Sequence, residues 1–320
     1  MHPSIRWSIS FAVTLVVLVS AGCEKPALPP VKQPRFNQER AFERLRELCA
    51  FGPRNHGSEG KRKAEAWIQQ QLRETGAEVS IHSFQHTPQG SSEATTFQNI
   101  IARINPSQTR RVLIATHYDT RSTADKDPDE TRRSEPILGA NDGGSGVAVL
   151  LEIAALWKDE PPPVGVDLIF FDGEDFGRGP ELDDYFLGSK AFVRDHADYR
   201  PEWGVVLDMV GDADFSIRKE RDSLTRAPSV VDRLWSAAAR VKAHGILNER
   251  GGLVYDDHTA FLAKGLQVVL LIDFSYKWFH TTSDTLDKCS PDSLGQVGRT
   301  VMEAIEAQED FSHGGATTQR

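Results

Sequence analysis

Cysteine is scarce in this chain: three residues in 320, at Cys23, Cys49 and Cys289. Three thiols exclude a disulfide-built scaffold and a zinc module held by four thiolates. The sequence also lacks any basic block, and its 37 Lys+Arg stand against 46 Asp+Glu for a net charge of −9. A nucleic-acid surface needs clustered cations to displace phosphate counterions, so no nucleic-acid partner is expected. There is no internal repeat and no low-complexity tract. What is present, 39% hydrophobic and 26% charged residues, is the composition of an ordinary folded protein. The length suits one large α/β domain or two smaller ones.

The one long apolar stretch stands at the start. Residues 1–23 read MHPSIRWSISFAVTLVVLVSAGC, with Arg6 before an apolar core and small residues leading to Cys23. The core is short for a transmembrane helix and suits an export signal. Its ending resembles a bacterial lipoprotein signal, which implies removal of residues 1–22 and lipidation of Cys23. The resemblance therefore implies an exported protein, anchored by lipid to a bacterial membrane and facing the periplasm or exterior, with that anchor its only membrane contact. Residues 23–36 contain four prolines and read as an extended tether. Cys49 and Cys289 are then either a disulfide pair in an oxidising compartment or two separate structural cysteines.

The body, residues 37–311, alternates helical and strand-like segments, and residues 312–320 read as a loose tail. Asn37 is placed to cap a helix with Phe42, Leu45 and Cys49 on one face. A second helix is expected over 58–75, and a last one over 291–307. Strand-like segments near 78–84 and 99–104 precede four largely apolar runs at 112–115, 166–171, 205–207 and 268–272. Such runs, separated by helices, fit strands covered on both faces. The expected fold is a single αβα domain around a central, mainly parallel mixed sheet.

Each of the four runs ends in ionisable residues: His117 and Asp119 after the first, Asp172, Glu174 and Asp175 after the second, Asp208 after the third, Asp273 after the fourth. Ligand sites in open α/β sheets lie at the carboxyl ends of strands, so these groups are expected to assemble into one site. The loop Gly139-Ala140-Asn141-Asp142-Gly143-Gly144 lacks the lysine of a phosphate loop and carries an acid that repels phosphate. It suits a cation. Carboxylates and imidazoles without thiolates point to a catalytic zinc, and no compact all-oxygen loop of the calcium type is present. Glu174 and Asp175 are neighbours, and in extended backbone their side chains diverge, one to a metal and the other to a substrate.

These segments, namely ATHYDTR (115–121), GANDGGSGVAVLLEIA (139–154), IFFDGEDFG (169–177), LGSKAF (187–192), VVLDMVGD (205–212), YDDHTAFLAKG (255–265) and WFHTTSDTLDKC (278–289), resemble the zinc exopeptidase superfamily of co-catalytic aminopeptidases and animal-type glutaminyl cyclases. The resemblance spans residues 37–308. It implies Asp142, Asp175 and His280 as metal ligands and Glu174 as general acid/base, with His117 and Asp208 at the positions of a second metal in the aminopeptidases. Asp257 is expected to pair with Asp208, as in the cyclases, although its position also suits a helix cap. Trp278 and Phe279 are expected to line a substrate pocket or to sit in the core, and Tyr185 or Phe186 to supply an aromatic wall. The implied activity is cyclisation of N-terminal Gln on peptides or proteins, with one zinc expected and two possible. A di-zinc aminopeptidase is the alternative.

Overall fold

The chain was analysed as a computed structural model, which describes residues 36–179 and 182–307. The segments expected to form the export signal, with Cys23, nearly all of the expected tether and the tail lie outside those residues. Phe36, the last residue assigned to the tether, is buried in the core.

Two helices open the body, α1 (Gln38–Ala50) and α2 (Glu59–Glu74). Asn37 caps the first by accepting the Arg40 N–H at 3.0 Å, and Ser58 caps the second through the Lys61 N–H at 3.0 Å. Such caps satisfy backbone donors that the first turn leaves open. Then follow β1 (Glu78–His86), β2 (Thr95–Ile104), β3 (Arg111–His117), α3 (Gly144–Leu156), β4 (Gly165–Phe171), α4 (Leu187–Asp195) and β5 (Trp203–Asp208). The remainder is β6 (Ile217–Lys219), α5 (Arg221–Arg226), α6 (Pro228–Arg240), β7 (Ile246–Arg250), α7 (His258–Ala263), β8 (Val268–Ile272) and α8 (Pro291–Glu306).

Six strands form the main sheet in the order β1-β2-β4-β3-β5-β8. The four apolar runs of the sequence are β4, β3, β5 and β8, and they pair parallel throughout. β1 and β2 add antiparallel strands at one edge. The sheet is therefore mixed and mainly parallel, as expected. β3, β4, β5 and β8 are buried along their whole length, because helices cover both faces. α1, α2, α3, α6 and α8 share the larger core on one face, whereas α4 and α7 pack with Phe192 and Phe261 on the other. β6 and β7 make a separate two-stranded sheet. Cys49 and Cys289 are both free thiols.

α3 is buried almost all round and lies very close to the sheet. Gly146 sets that approach: a Cβ there would overlap the Thr116 side chain and sit 2.9 Å from the Leu207 carbonyl oxygen. Overpacking a core in this way typically costs about 1–3 kcal/mol. Gly146→Ala is therefore expected to lower stability by about that amount in denaturant unfolding, and an unchanged midpoint would show that α3 is free to shift.

Candidate active site

Parallel pairing brings the ends of β3, β4, β5 and β8 to one edge of the sheet. β3 ends at His117. Two residues on, the Asp119 carboxylate accepts the backbone N–H groups of both Glu174 and Asp175 at 3.2 Å. It thus fixes the turn after β4, and Glu174 and Asp175 diverge from that turn. Glu174 Oε2 lies 3.8 Å from His117 Nδ1, whereas Asp175 Oδ1 lies 3.4 Å from His280 Nε2.

The Asp142 loop is held from two sides. The fully buried Arg54 guanidinium donates to the carbonyls of Tyr118, Leu138 and Gly139 at 2.7–2.8 Å. Asp284 accepts the Asn141 and Asp142 N–H groups at 2.9 and 3.1 Å and the Tyr276 hydroxyl at 2.7 Å. Gly143 then turns the chain with φ of 73°, where a Cβ would lie 2.8 Å from His117 Cε1. Only glycine fits a left-handed turn against that ring.

Asp142 is the hinge of the site. Its Oδ1 lies 3.2 Å from His117 Nε2 and its Oδ2 lies 3.8 Å from His280 Nε2. His117 Nε2 is also 3.1 Å from Asp208 Oδ1. Two three-residue groups result, Asp142–Asp175–His280 and His117–Asp142–Asp208, each with its ligand atoms within 4.8 Å of one another. Asp142 Oδ2 and Asp175 Oδ2 are buried without a hydrogen-bond partner. Buried polar atoms are nearly always paired, so these free oxygens within one ligand group fit a divalent cation, and the oxygen–nitrogen donor set suits zinc.

Charge is the dominant feature. Burial pushes the Glu174 carboxyl well above the usual carboxylate range, and neighbouring acids add to this against the pull of His117. Burial disfavours a charged His280, but Asp175 and Asp125 outweigh it and carry the imidazole up to about 9. His280 holds this place with φ of 57° and Met209, next to Asp208, with φ of 47°. Backbone strain of this kind concentrates at functional sites.

A cavity of about 360 Å³ opens over these groups. Glu174, Asp142, Asp175, Asp208 and His280 line it, together with Tyr185, Phe186, Met209, Ile272, Phe274 and Phe279. Two expectations are corrected here. Asp256, not Asp257, lines the cavity with Asp208 and Glu174. Asp257 has entered helical backbone at the start of α7, with φ −49° and no side-chain cap bond, and its fully buried carboxyl lies beside Ser189, pushed up to about 7 by burial. Burial and the nearby Asp208 push Asp256 well above the carboxylate range. Trp278 is not part of the wall. It is 37% exposed, under the Lys288 ammonium at 4.9 Å, and Phe279 alone of the two aromatics reaches the cavity. Both Tyr185 and Phe186 are wall residues. The roles of Arg54, Asp284 and Arg121 have no sequence signal beyond their position inside the motifs or beside them.

The geometry separates the two metal groups experimentally. His280→Ala is expected to abolish retention of zinc through gel filtration, whereas His117→Ala keeps bound metal. Complete loss of zinc from His117→Ala would contradict Asp142, Asp175 and His280 as the primary ligand set.

The profile of Peptidase family M28 matches residues 99–305. The glutaminyl-peptide cyclotransferase of Bos taurus is 27% identical over 284 residues, covering 75% of this chain and 75% of its own. Among solved structures, the glutaminyl cyclase of Fimbriiglobus ruber is 33% identical with a TM-score of 0.83, covering 89% of this chain and all of that one. A leucine aminopeptidase precursor from Bacteroides thetaiotaomicron is 31% identical with the same TM-score, covering 87% and 99%. The chain belongs to peptidase family M28, and its relatives there include glutaminyl cyclases.

Proposed function

We propose that the protein is a glutaminyl-peptide cyclotransferase, converting N-terminal Gln of peptides and proteins to pyroglutamate with release of ammonia. The observation that carries this reading is Asp256 on the cavity wall beside Asp208 and Glu174. Burial and the like charge of nearby Asp208 raise the proton affinity of Asp256. That is the equipment for moving protons around an amine and a leaving nitrogen. The relatives named glutaminyl cyclases support the same reading.

In this reaction the α-amine attacks the γ-carbonyl of the same residue, and the amide nitrogen leaves. Asp142, Asp175 and His280 would hold one zinc, whose contribution when bound is Lewis acidity at that carbonyl. Glu174 accepts the proton from the attacking amine and returns it to the leaving nitrogen. Burial and neighbouring acids raise its proton affinity above that of a free carboxylate, and acid–base help of this kind is worth about 10²–10⁴-fold. Asp256, whose proton affinity is raised by burial and by the nearby Asp208, lines the cavity next to Glu174. Met209, Ile272, Phe274 and Phe279 give the glutamine methylenes an apolar wall. Holding the two ends of one side chain together favours ring closure by removing orientational freedom before the bond forms.

The second reading is a di-zinc aminopeptidase, favoured by the His117–Asp142–Asp208 group. There Glu174 would activate water to hydrolyse the first peptide bond. For location, the N-terminal pattern supports export and lipid attachment at Cys23.

One assay separates the activities. Purified zinc-loaded protein, offered a Gln-peptide and a Leu-amide together, is expected to release ammonia from the first and no free leucine from the second. Leucine release without ammonia from the Gln-peptide would establish the aminopeptidase instead.

A further inference from the structure

One cation touches the metal group and has no part in the chemistry above. Arg121, the last residue of ATHYDTR, is 4% exposed. Its guanidinium spreads over three oxygens from three segments. Nη1 donates to Asp175 Oδ1 at 3.2 Å, Nε to Asp125 Oδ1 at 2.5 Å and Nη2 to the Tyr185 hydroxyl at 2.7 Å. Its carbon also lies 5.2 Å from the centre of the Tyr185 ring.

The second of these contacts leads back to the metal group. Asp125 Oδ1 is 3.3 Å from His280 Nδ1, an ion-pair distance at which Nδ1 makes no hydrogen bond, on the side of the ring opposite Nε2, which faces Asp142 and Asp175. A histidine that binds metal through one nitrogen usually gives its other N–H to a carboxylate, which fixes tautomer and ring orientation. Asp175 is governed by the same guanidinium: its Oδ1 is engaged, and its Oδ2 is the oxygen left without a partner. Both effects orient ligands toward one point.

We propose that Arg121 is the positioning residue of the metal centre, orienting Asp175 directly and His280 through Asp125, with Tyr185 carried on the same guanidinium as part of the cavity wall. This rests on Asp142, Asp175 and His280 being the ligand set, and it holds whether the enzyme cyclises or hydrolyses. A lysine cannot replace Arg121, because a single ammonium does not present the planar fork that reaches three acceptors at fixed angles.

The test uses the holoenzyme and reads zinc affinity by competition with a chromophoric chelator, without substrate, so that its failure is distinct from failure of the cyclase reading. Arg121→Lys and Asp125→Asn are each expected to weaken zinc binding by about 10–100-fold, the usual effect of losing an outer partner of a metal ligand. Tyr185→Phe is expected to leave zinc affinity unchanged and to raise KM. The Asp125 side chain is 42% exposed, so Asp125→Asn keeps the fold, which the melting temperature of the metal-free protein checks. Wild-type zinc affinity in both Arg121→Lys and Asp125→Asn would overturn the proposal. So would a loss of affinity that only follows a lower melting temperature of the metal-free protein.

Discussion

Mutual repulsion among buried carboxylates is the constraint that organises this molecule. Asp119, Asp142, Asp172, Glu174, Asp175, Asp208, Asp256, Asp257 and Asp284 are all under 9% exposed at one edge of one sheet. Charges taken out of water are costly unless they are paired, hydrogen-bonded or protonated. Each of these acids meets that demand in one of three ways. Some have their proton affinity raised by burial and neighbouring acids, as at Glu174 and Asp256. Others lie beside a buried cation: Lys61 donates to Asp172 at 2.9 Å, and Arg121 donates to Asp175. Asp119 and Asp284 instead accept backbone N–H groups. Among the buried oxygens left without a partner, those of Asp142 and Asp175 belong to one ligand group and fit a divalent ion.

The fold serves this arrangement through its parallel sheet. Four strands end at the same edge, so residues from widely separated parts of the chain meet without long loops. The carboxylates that accept backbone N–H groups tie one loop to another: Asp119 ties the end of β3 to the turn after β4, and Asp284 ties the last long loop to the Asp142 loop. Proton transfer and metal binding therefore depend on the same scaffold of loop-to-loop bonds. Repositioning any one loop moves both functions together.

Much of this was legible in the sequence. Apolar runs over residues 112–115 and 268–272 fitted strands covered on both sides, and an acid or histidine after each placed the site at their carboxyl ends. Asp142, Asp175, Glu174 and His280 could be named as candidates from the family resemblance of their motifs. The pair Asp256–Asp257 could not be resolved that way. Adjacent residues diverge in extended backbone, but here the second has already entered a helix, so which acid faces the cavity depends on where α7 begins. Trp278 and Phe279 could not be told apart by spacing either: Phe279 reaches the cavity and Trp278 does not. Arg121 and Asp284 act through contacts distant in sequence, which local spacing does not encode.

The central claim is that the carboxyl pair of Asp208 and Asp256 moves protons in a site with a single zinc. Asp256→Asn tests it most directly, because the substitution keeps the volume and removes the shareable proton. The account predicts unchanged zinc content and a loss of Gln-peptide turnover of about 100-fold or more, the lower bound for acid–base groups. Full turnover by Asp256→Asn, or activity restored by a second equivalent of zinc, would contradict it.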